Sequence, residues 1–279
     1  MSIQLRASFK KEYLAFFRTK RALIISAVLI GLAIFMPLMI WGLGVLMNAM
    51  SPIYEELGMD VSIMTEMLGS SVSMGVMTGV SEMTATGLIV LLILINSFAG
   101  GEQKKRSIII PSSSGLRGFA YISPKFVIYP LTAFVLAIIG AFASWGISSV
   151  IYEVNDVSSG GVLLGGILAG VSLMFYVCCH ITLGTSTGQA GVSAAVCIVA
   201  SLILSNVFSL TSSDYMYNPF ALSVLAASVV QEGALAAVSP RDVIMTILIT
   251  LVLMVIVYFI ALFVQNAKKI DNSGDEIRI

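Results

Sequence analysis

The chain is short of charge. Of its 279 residues only 11% are Asp, Glu, Lys or Arg, whereas a water-soluble domain carries about 25%. Histidine is scarcer still: His180 is the only one. The 3 cysteines are Cys178, Cys179 and Cys197; two are adjacent and all lie in apolar stretches, which is not the pattern of a disulfide framework. A G-x-x-x-x-G-K-[ST] phosphate loop is missing. "GGEQKKRS", residues 100–107, has the wrong spacing and no strand ahead of it, so the chain is not expected to hydrolyse ATP by itself. What the sequence does have is apolar residues, 58% of the total, with a mean hydropathy of +0.99. That balance belongs to membrane proteins.

A spanning helix needs roughly 20 predominantly apolar residues. Five stretches lack Asp, Glu, Lys and Arg: Ala22–Tyr54, Met83–Gly101, Phe126–Tyr152, Val157–Ser213 and Val243–Ala267. The fourth would make roughly 85 Å of helix across a ~30 Å hydrocarbon layer. It must fold back, and the small, polar "GTSTGQAG" at 184–191 is the natural turn. Six spans follow, with both termini on one side. The first is too long for a cleaved signal, whose apolar core is about 7–15 residues.

The positive-inside rule gives the same count. With the N-terminus cytoplasmic, the inner segments hold Arg6, Lys10, Lys11, Arg18, Lys20, Arg21, Lys104, Lys105, Arg106, Arg117, Lys125, Lys268, Lys269 and Arg278. Only Arg241 falls outside. Glu82 is assigned to the outer loop before the second span. All six spans can then be drawn without an ionisable Asp, Glu, Lys or Arg, whereas ion-coupled transporters usually keep such residues in their spans. Energy for any transport is expected from outside the bilayer. A pathway without charge suits lipid-like, peptide or drug-like cargo.

Between the spans the sequence is patterned. "IQLRASFKKEYLAFFRTKR" puts Leu5, Phe9, Tyr13, Phe16 and Phe17 at helical spacing, flanked by Arg6, Lys10, Lys11 and Arg18. This predicts an amphipathic helix in the inner interface, with its aromatics in lipid and its cations near headgroups. The outer loop from Asn48 to Glu82 carries or adjoins Met50, Met59, Met64, Met67, Met74, Met77 and Met83. Without Cys or His beside them these read as an adaptable apolar cap rather than a copper site. "NPFALSVLAASVV", 218–230, is apolar but too short to span, and predicts a re-entrant segment broken near Glu232–Gly233. Gly161, Gly165 and Ala169, with Gly166 and Gly170, are spaced for close helix approach.

Two patterns mimic catalytic sites. "GTSTG", 184–188, fits G-x-S-x-G, but that motif needs a strand-to-helix turn and a histidine from elsewhere. His180, at the end of the helix leading into the turn, is poorly placed to serve Ser186. Cys178, Cys179 and His180 are consecutive on a helix and so point to different faces. A histidine bonded to a nearby hydroxyl is the expected reading, and neither a metal site nor an enzyme is predicted.

The order of the remaining pieces carries a resemblance. A basic amphipathic helix ("FKKEYLAFFRTKRAL") precedes six spans. The inner loop after the second begins with glutamate and reaches a proline ("GEQKKRSIIIP"). A lysine ("SPK", Lys125) opens the third span, and "NPF" precedes the sixth. Over essentially the whole chain this resembles the permease subunits of the type-2 ATP-binding-cassette (ABC) exporters. The resemblance implies an all-α integral membrane protein at the plasma membrane, a single permease domain with both termini cytoplasmic. It implies a coupling helix between spans 2 and 3 docked on a separate ATPase subunit, which would hold the ATP and Mg. Carried over, the ATPase-facing residues are Glu102, Gln103, Lys104, Lys105, Arg106, Ile108, Ile109, Ile110 and Pro111, with Arg106–Ser107 standing where the family has Gly-Thr. The interfacial helix would use Phe9, Lys10, Lys11, Tyr13, Phe16, Phe17 and Arg18; the re-entrant segment, Asn218, Pro219 and Phe220. Partners implied are that ATPase, a second permease as homodimer or heterodimer, and the bilayer, with no nucleic acid. The alternative class is a six-span scaffold or sensor-associated subunit with no ATPase.

Overall fold

The computed structural model describes residues 3–56, 71–104, 115–210, 217–231 and 239–275. The described elements are helices: α1 (Ile3–Arg18), α2 (Arg21–Glu56), α3 (Val72–Ala99), α4 (Gly101–Lys104), α5 (Gly118–Ile151), α6 (Ser159–Thr187), α7 (Ala190–Leu210), a 3-10 turn (Pro219–Ala221) running into α8 (Leu222–Ser228), and α9 (Pro240–Asp275). Five of them, α2, α3, α5, α6 and α9, are long and apolar enough to cross a membrane. α7, the fold-back partner of α6, has 21 residues.

α6 is the centre of the bundle. It packs against α3, α5, α7, α8 and α9, and 72% of its most apolar stretch is buried, against 17% for α9 and 22% for α2. The two outer helices instead present Phe35, Trp41, Val252, Phe259 and Phe263 outward, the last 75% exposed. In water such surface would be strongly unfavourable, at about 25 cal/mol per Å²; in hydrocarbon it is neutral.

The glycines of α6 do what their spacing predicts. Gly161 and Gly165 lie against the backbone carbonyls of Val230 and Ala226, while Gly166 and Gly170 lie against Ile138 and Phe134 of α5. One row seats the α8 segment and the other seats α5. The expected turn is also present. Gly188 takes φ +69°, a left-handed conformation that suits glycine, and donates its N–H to Gly184 O at 2.9 Å. α6 stops there and α7 starts at Ala190.

Two boundaries differ from expectation. α3 begins at Val72 rather than Met83, because small and hydroxylated residues extend it against α2 and α5. Gly79 abuts the Ala33 carbonyl and Ser144, and Gly75 abuts Ser148 and Tyr152. Met74, Met77 and Glu82 are therefore helical residues and not parts of a loop; Met59, Met64 and Met67 lie outside the described residues. Likewise α5 begins at Gly118 rather than Phe126, so Lys125 sits inside the helix. α3 thus carries Glu82 several turns from either end, and α5 carries Lys125 within its first turns, ionisable residues that a charge count along the sequence had kept out of them.

A small latch joins the elements at the opposite end from α1. Val72 N–H donates to Val154 O at 2.9 Å, Val157 pairs with Gln231 across a single antiparallel bridge, and Tyr152 Oη donates to Pro37 O at 3.0 Å.

Candidate functional site

The site is built where α1, the end of α3, α4 and α5 converge. Its hub is Lys125, wholly buried. An ammonium has three protons to place, and each finds an acceptor: Glu12 Oε1 at 3.1 Å, Glu102 Oε2 at 2.9 Å, and the backbone carbonyl of Phe98 at 2.9 Å. The Tyr121 ring lies 4.9 Å from the same nitrogen, within cation–π range.

Each carboxylate has a second partner. Tyr129 Oη donates to Glu12 Oε2 at 2.5 Å, and Lys11 Nζ donates to Glu102 Oε1 at 2.6 Å. Two acids and two ammonium groups give a neutral cluster, the condition under which buried charge is tolerated. Burial by itself would raise the Glu102 carboxyl, but the Lys125 ammonium and the hydrogen bonds from Lys11 and Lys125 outweigh it and hold the group at about 2.

Aromatic rings floor the cluster. Phe98 stacks on Tyr129 with centroids 4.9 Å apart, and Phe16 meets Tyr129 edge-on at 5.1 Å. Arg21 lies over the Phe98 ring at 4.8 Å and donates to Ser97 Oγ. The start of α2 is thereby fastened to the end of α3.

α1 also reaches the far side of the segment that follows α4. Gln4 Nε2 donates to Gly115 O at 3.3 Å. One helix therefore holds both stems of the 105–114 segment, through Lys11 on Glu102 and through Gln4 on Gly115.

Of the predicted contact residues, Glu102, Gln103 and Lys104 form α4, and Glu102 is drawn into the cluster. Lys105, Arg106, Ile108, Ile109, Ile110 and Pro111 lie outside the described residues. In α1 the expected lipid-facing aromatics divide. Tyr13 and Phe17 are exposed at 53% and 46%, but Phe16 is at 1% and faces the bundle. Phe9 is partly buried, whereas Lys10, Lys11 and Arg18 remain exposed. The reason for the correction is Glu12. It shares the inward face with Phe9 and Phe16, and its bond to Lys125 turns that face to protein instead of lipid. Lys125 is corrected too, from a topogenic charge opening a span to a buried ion-pair hub.

At the other end, Asn218 caps the 3-10 turn by accepting from Phe220 N–H at 2.9 Å. Pro219 is buried, and Phe220 packs edge-on against Phe175 at 5.7 Å. The segment folds as a short helical element on α6, α3 and α7; the break expected at Glu232–Gly233 lies outside the described residues.

His180 Nδ1 lies 2.6 Å from Ser193 Oγ of α7, which is the hydroxyl partner expected of it, and its bonded serine is not Ser186. Cys178 is buried and Cys179 is partly exposed on a neighbouring face. Among the described residues no group of three His, Cys, Asp or Glu side chains could hold a metal ion.

Sequence reading missed Glu12 and Lys125 as partners. A signal was available: Glu12 lies three residues after Phe9 and four before Phe16, the spacing of one helical face, and Lys125 directly borders a charge-free run.

Long apolar helices with exposed apolar flanks, closed at one end by a buried ionic cluster, define a multi-pass, all-helical membrane protein. Comparison of the chain with protein-family models, with curated proteins and with solved structures finds no match in any of the three.

Proposed function

We propose that the chain is the membrane permease subunit of an ATP-driven exporter. It would span the plasma membrane six times with both termini cytoplasmic, α7 being the fifth crossing and the α8 segment re-entrant from the outer side. The observation that supports this most is the Lys125 junction. It ties Glu102, at the head of the segment between the second and third crossings, to the amphipathic helix α1 and to α5. A loop pushed by a soluble motor transmits force only if its stems are fixed to the bundle. Both stems of 105–114 are held by α1, and Glu102 by α5 as well. Lys104, Lys105 and Arg106 supply charge for an acidic rim on an ATPase, and Ile108, Ile109 and Ile110 supply apolar surface for its groove.

The test is purification of the full chain from its native membranes by gentle solubilisation, with ATP hydrolysis measured on the material retained. Retention of an ATP-binding-cassette subunit is expected. Its hydrolysis should lose dependence on the permease when Lys104, Lys105 and Arg106 are reversed to Glu, while the variant still reaches the membrane. If no ATPase subunit is retained, or if the reversal leaves coupling intact, the chain is a scaffold or sensor-associated subunit and the exporter reading is wrong.

A further inference from the structure

A cavity of about 250 Å³ opens where α3, α6, α7 and the α8 segment meet. Tyr176 of α6 lines it, together with Ser81 and Thr84 of α3, Ser201 of α7 and Ser223 of α8. Four helices thus bring hydroxyls to one space, and an amide and aliphatic side chains complete the described wall.

These hydroxyls are not equivalent. Thr84 Oγ1 donates back along its own helix, to Val80 O at 3.1 Å and Ser81 O at 2.9 Å. Ser201 Oγ does the same to Ile198 O at 2.9 Å, the usual resting state of a hydroxyl in a helix. The hydroxyls of Tyr176, Ser81 and Ser223 bond to none of the described residues. For Tyr176 this matters most. The residue is only 4% exposed, and its ring is held between Phe175 at 5.6 Å and Phe220 at 6.2 Å. A buried phenol ordinarily finds a partner, because a buried donor left unpaired forfeits its hydration. The cavity is the space in which that partner can stand.

Charge, depth and size together narrow the occupant. α6, α7 and α8 contain no Asp, Glu, Lys or Arg, and α3 contains only Glu82, whose carboxylate accepts from the Thr86 hydroxyl one turn on. Recognition here is by hydrogen bonds rather than by charge. Ser81 and Ala85 lie about 14–20 Å from the head of α3, a helix of about 42 Å, at the level of the hydrocarbon layer. Ser81, Ala85 and Leu202 line the cavity and are exposed on the flank of the bundle, Leu202 at 44%. The mouth therefore opens sideways, toward acyl chains. Pockets that enclose a whole drug-sized ligand measure about 300–1,000 Å³. This smaller one holds part of a molecule, whose remainder stays in the bilayer.

We propose that this cavity binds the hydroxyl-bearing head of an uncharged lipid of the acylglycerol type, entering from the bilayer side of α3 and α7, with Tyr176 as the principal hydrogen-bonding group. Only the further step, that such a lipid is cargo, rests on the exporter reading. Binding itself needs no ATPase, so it is tested on the chain alone, and the failure of either reading leaves the other standing.

The experiment is photolabelling of the purified full chain, in phosphatidylcholine nanodiscs, by a monoacylglycerol carrying a diazirine near the ester end of its chain. Saturable labelling is expected within 81–85 and 201–206. Monooleoylglycerol should displace it; free glycerol, which has no chain, methyl oleate, which has no hydroxyl, and oleate, which is charged, should not. Tyr176→Phe keeps the ring and should weaken binding roughly 2- to 10-fold, the usual effect of one hydrogen bond. Ala85→Trp fills the mouth from an exposed position, where folding is not at risk, and should abolish labelling. Ser149→Ala, whose hydroxyl bonds Trp145 O at 2.8 Å away from the cavity lining, should leave it unchanged. Labelling that does not saturate, that falls elsewhere, or that glycerol, methyl oleate or oleate displaces as well as monooleoylglycerol does overturns the proposal. So does labelling unchanged in Tyr176→Phe or in Ala85→Trp.

Discussion

Asp156 closes the head of α3. Its carboxylate accepts from Ser73 N–H at 2.9 Å and from Ser73 Oγ at 2.5 Å, so an anion sits at the positive end of a helix dipole. Asp156→Ala should therefore destabilise the protein by ~0.5–2 kcal/mol, the usual effect of losing a helix-capping side chain. Burial tends to raise this carboxyl, but the bonds from Ser73 prevail and its pKa falls below the ordinary 3.8. The stabilisation is present above that value and disappears as pH falls through the lower folded-state value. Thermal melts of wild type and Asp156→Ala should thus differ near neutrality and converge in acid.

Removing the hub should cost more than removing the cap. Lys125→Met leaves Glu12 and Glu102 buried together without their shared cation, and breaking a buried pair from one side costs about 3–5 kcal/mol. Adding Glu12→Gln to that variant should restore part of the loss. A double-mutant cycle on Glu12 and Lys125, read from thermal midpoints, measures the coupling; an additive result would show that the two groups do not interact.

Glu102 predicts an acid limit to the same cluster. Its folded-state value of about 2 lies below the ordinary 4.5 of a glutamate, so its contribution is complete above pH 4.5 and is lost as pH falls toward 2. Glu102→Gln should be less stable than wild type at neutral pH and should show a flatter stability profile across that window.

The two neighbouring phenylalanines of α1 offer an internal control. Phe16 is buried against Phe98 and Tyr129, and Phe16→Ala should cost about 3–5 kcal/mol. Phe17 is 46% exposed on the protein, and Phe17→Ala should change the melting midpoint little in detergent. Comparable losses in both would show that α1 is not oriented as described.

The glycine row on α6 makes a steric prediction. A Cβ at Gly165 would fall 2.8 Å from Ala226 O and 3.0 Å from Val230 Cγ2, so Gly165→Val should displace the α8 segment and destabilise by about 1–3 kcal/mol. Gly160 has nothing within 4 Å of its own added Cβ. Gly160→Val should be close to neutral in the same assay.

Which of these features could be read beforehand follows from how local their causes are. The turn within 184–191 and the packing row of Gly161 and Gly165 depend on neighbours in sequence, and each was legible. The start of α3 was not, because Ser73, Gly75 and Gly79 look like loop residues until Ser144, Ser148 and Ala33 are placed beside them. The Lys125 cluster was illegible for a stronger reason. Single-residue charge rules treat each ion alone, whereas Glu12, Glu102 and Lys125 are acceptable only as a set. Glu82 is a milder case of the same kind: its charge alone suggests a loop, and only the packing of Gly75 and Gly79 against α2 and α5 carries the helix past it.

The distance in sequence between Glu12 and Lys125 also orders events in time. A chain is made from its N-terminus, so α1 emerges long before the helix that holds its resting partner. Until α5 has entered the bilayer, Glu12 has no ammonium to meet and Phe16 no Tyr129 to pack on, and the first helix made waits at the membrane surface. It docks only when α5 is in place. The oldest part of the polypeptide thereby reaches its resting place only after helices made well after it.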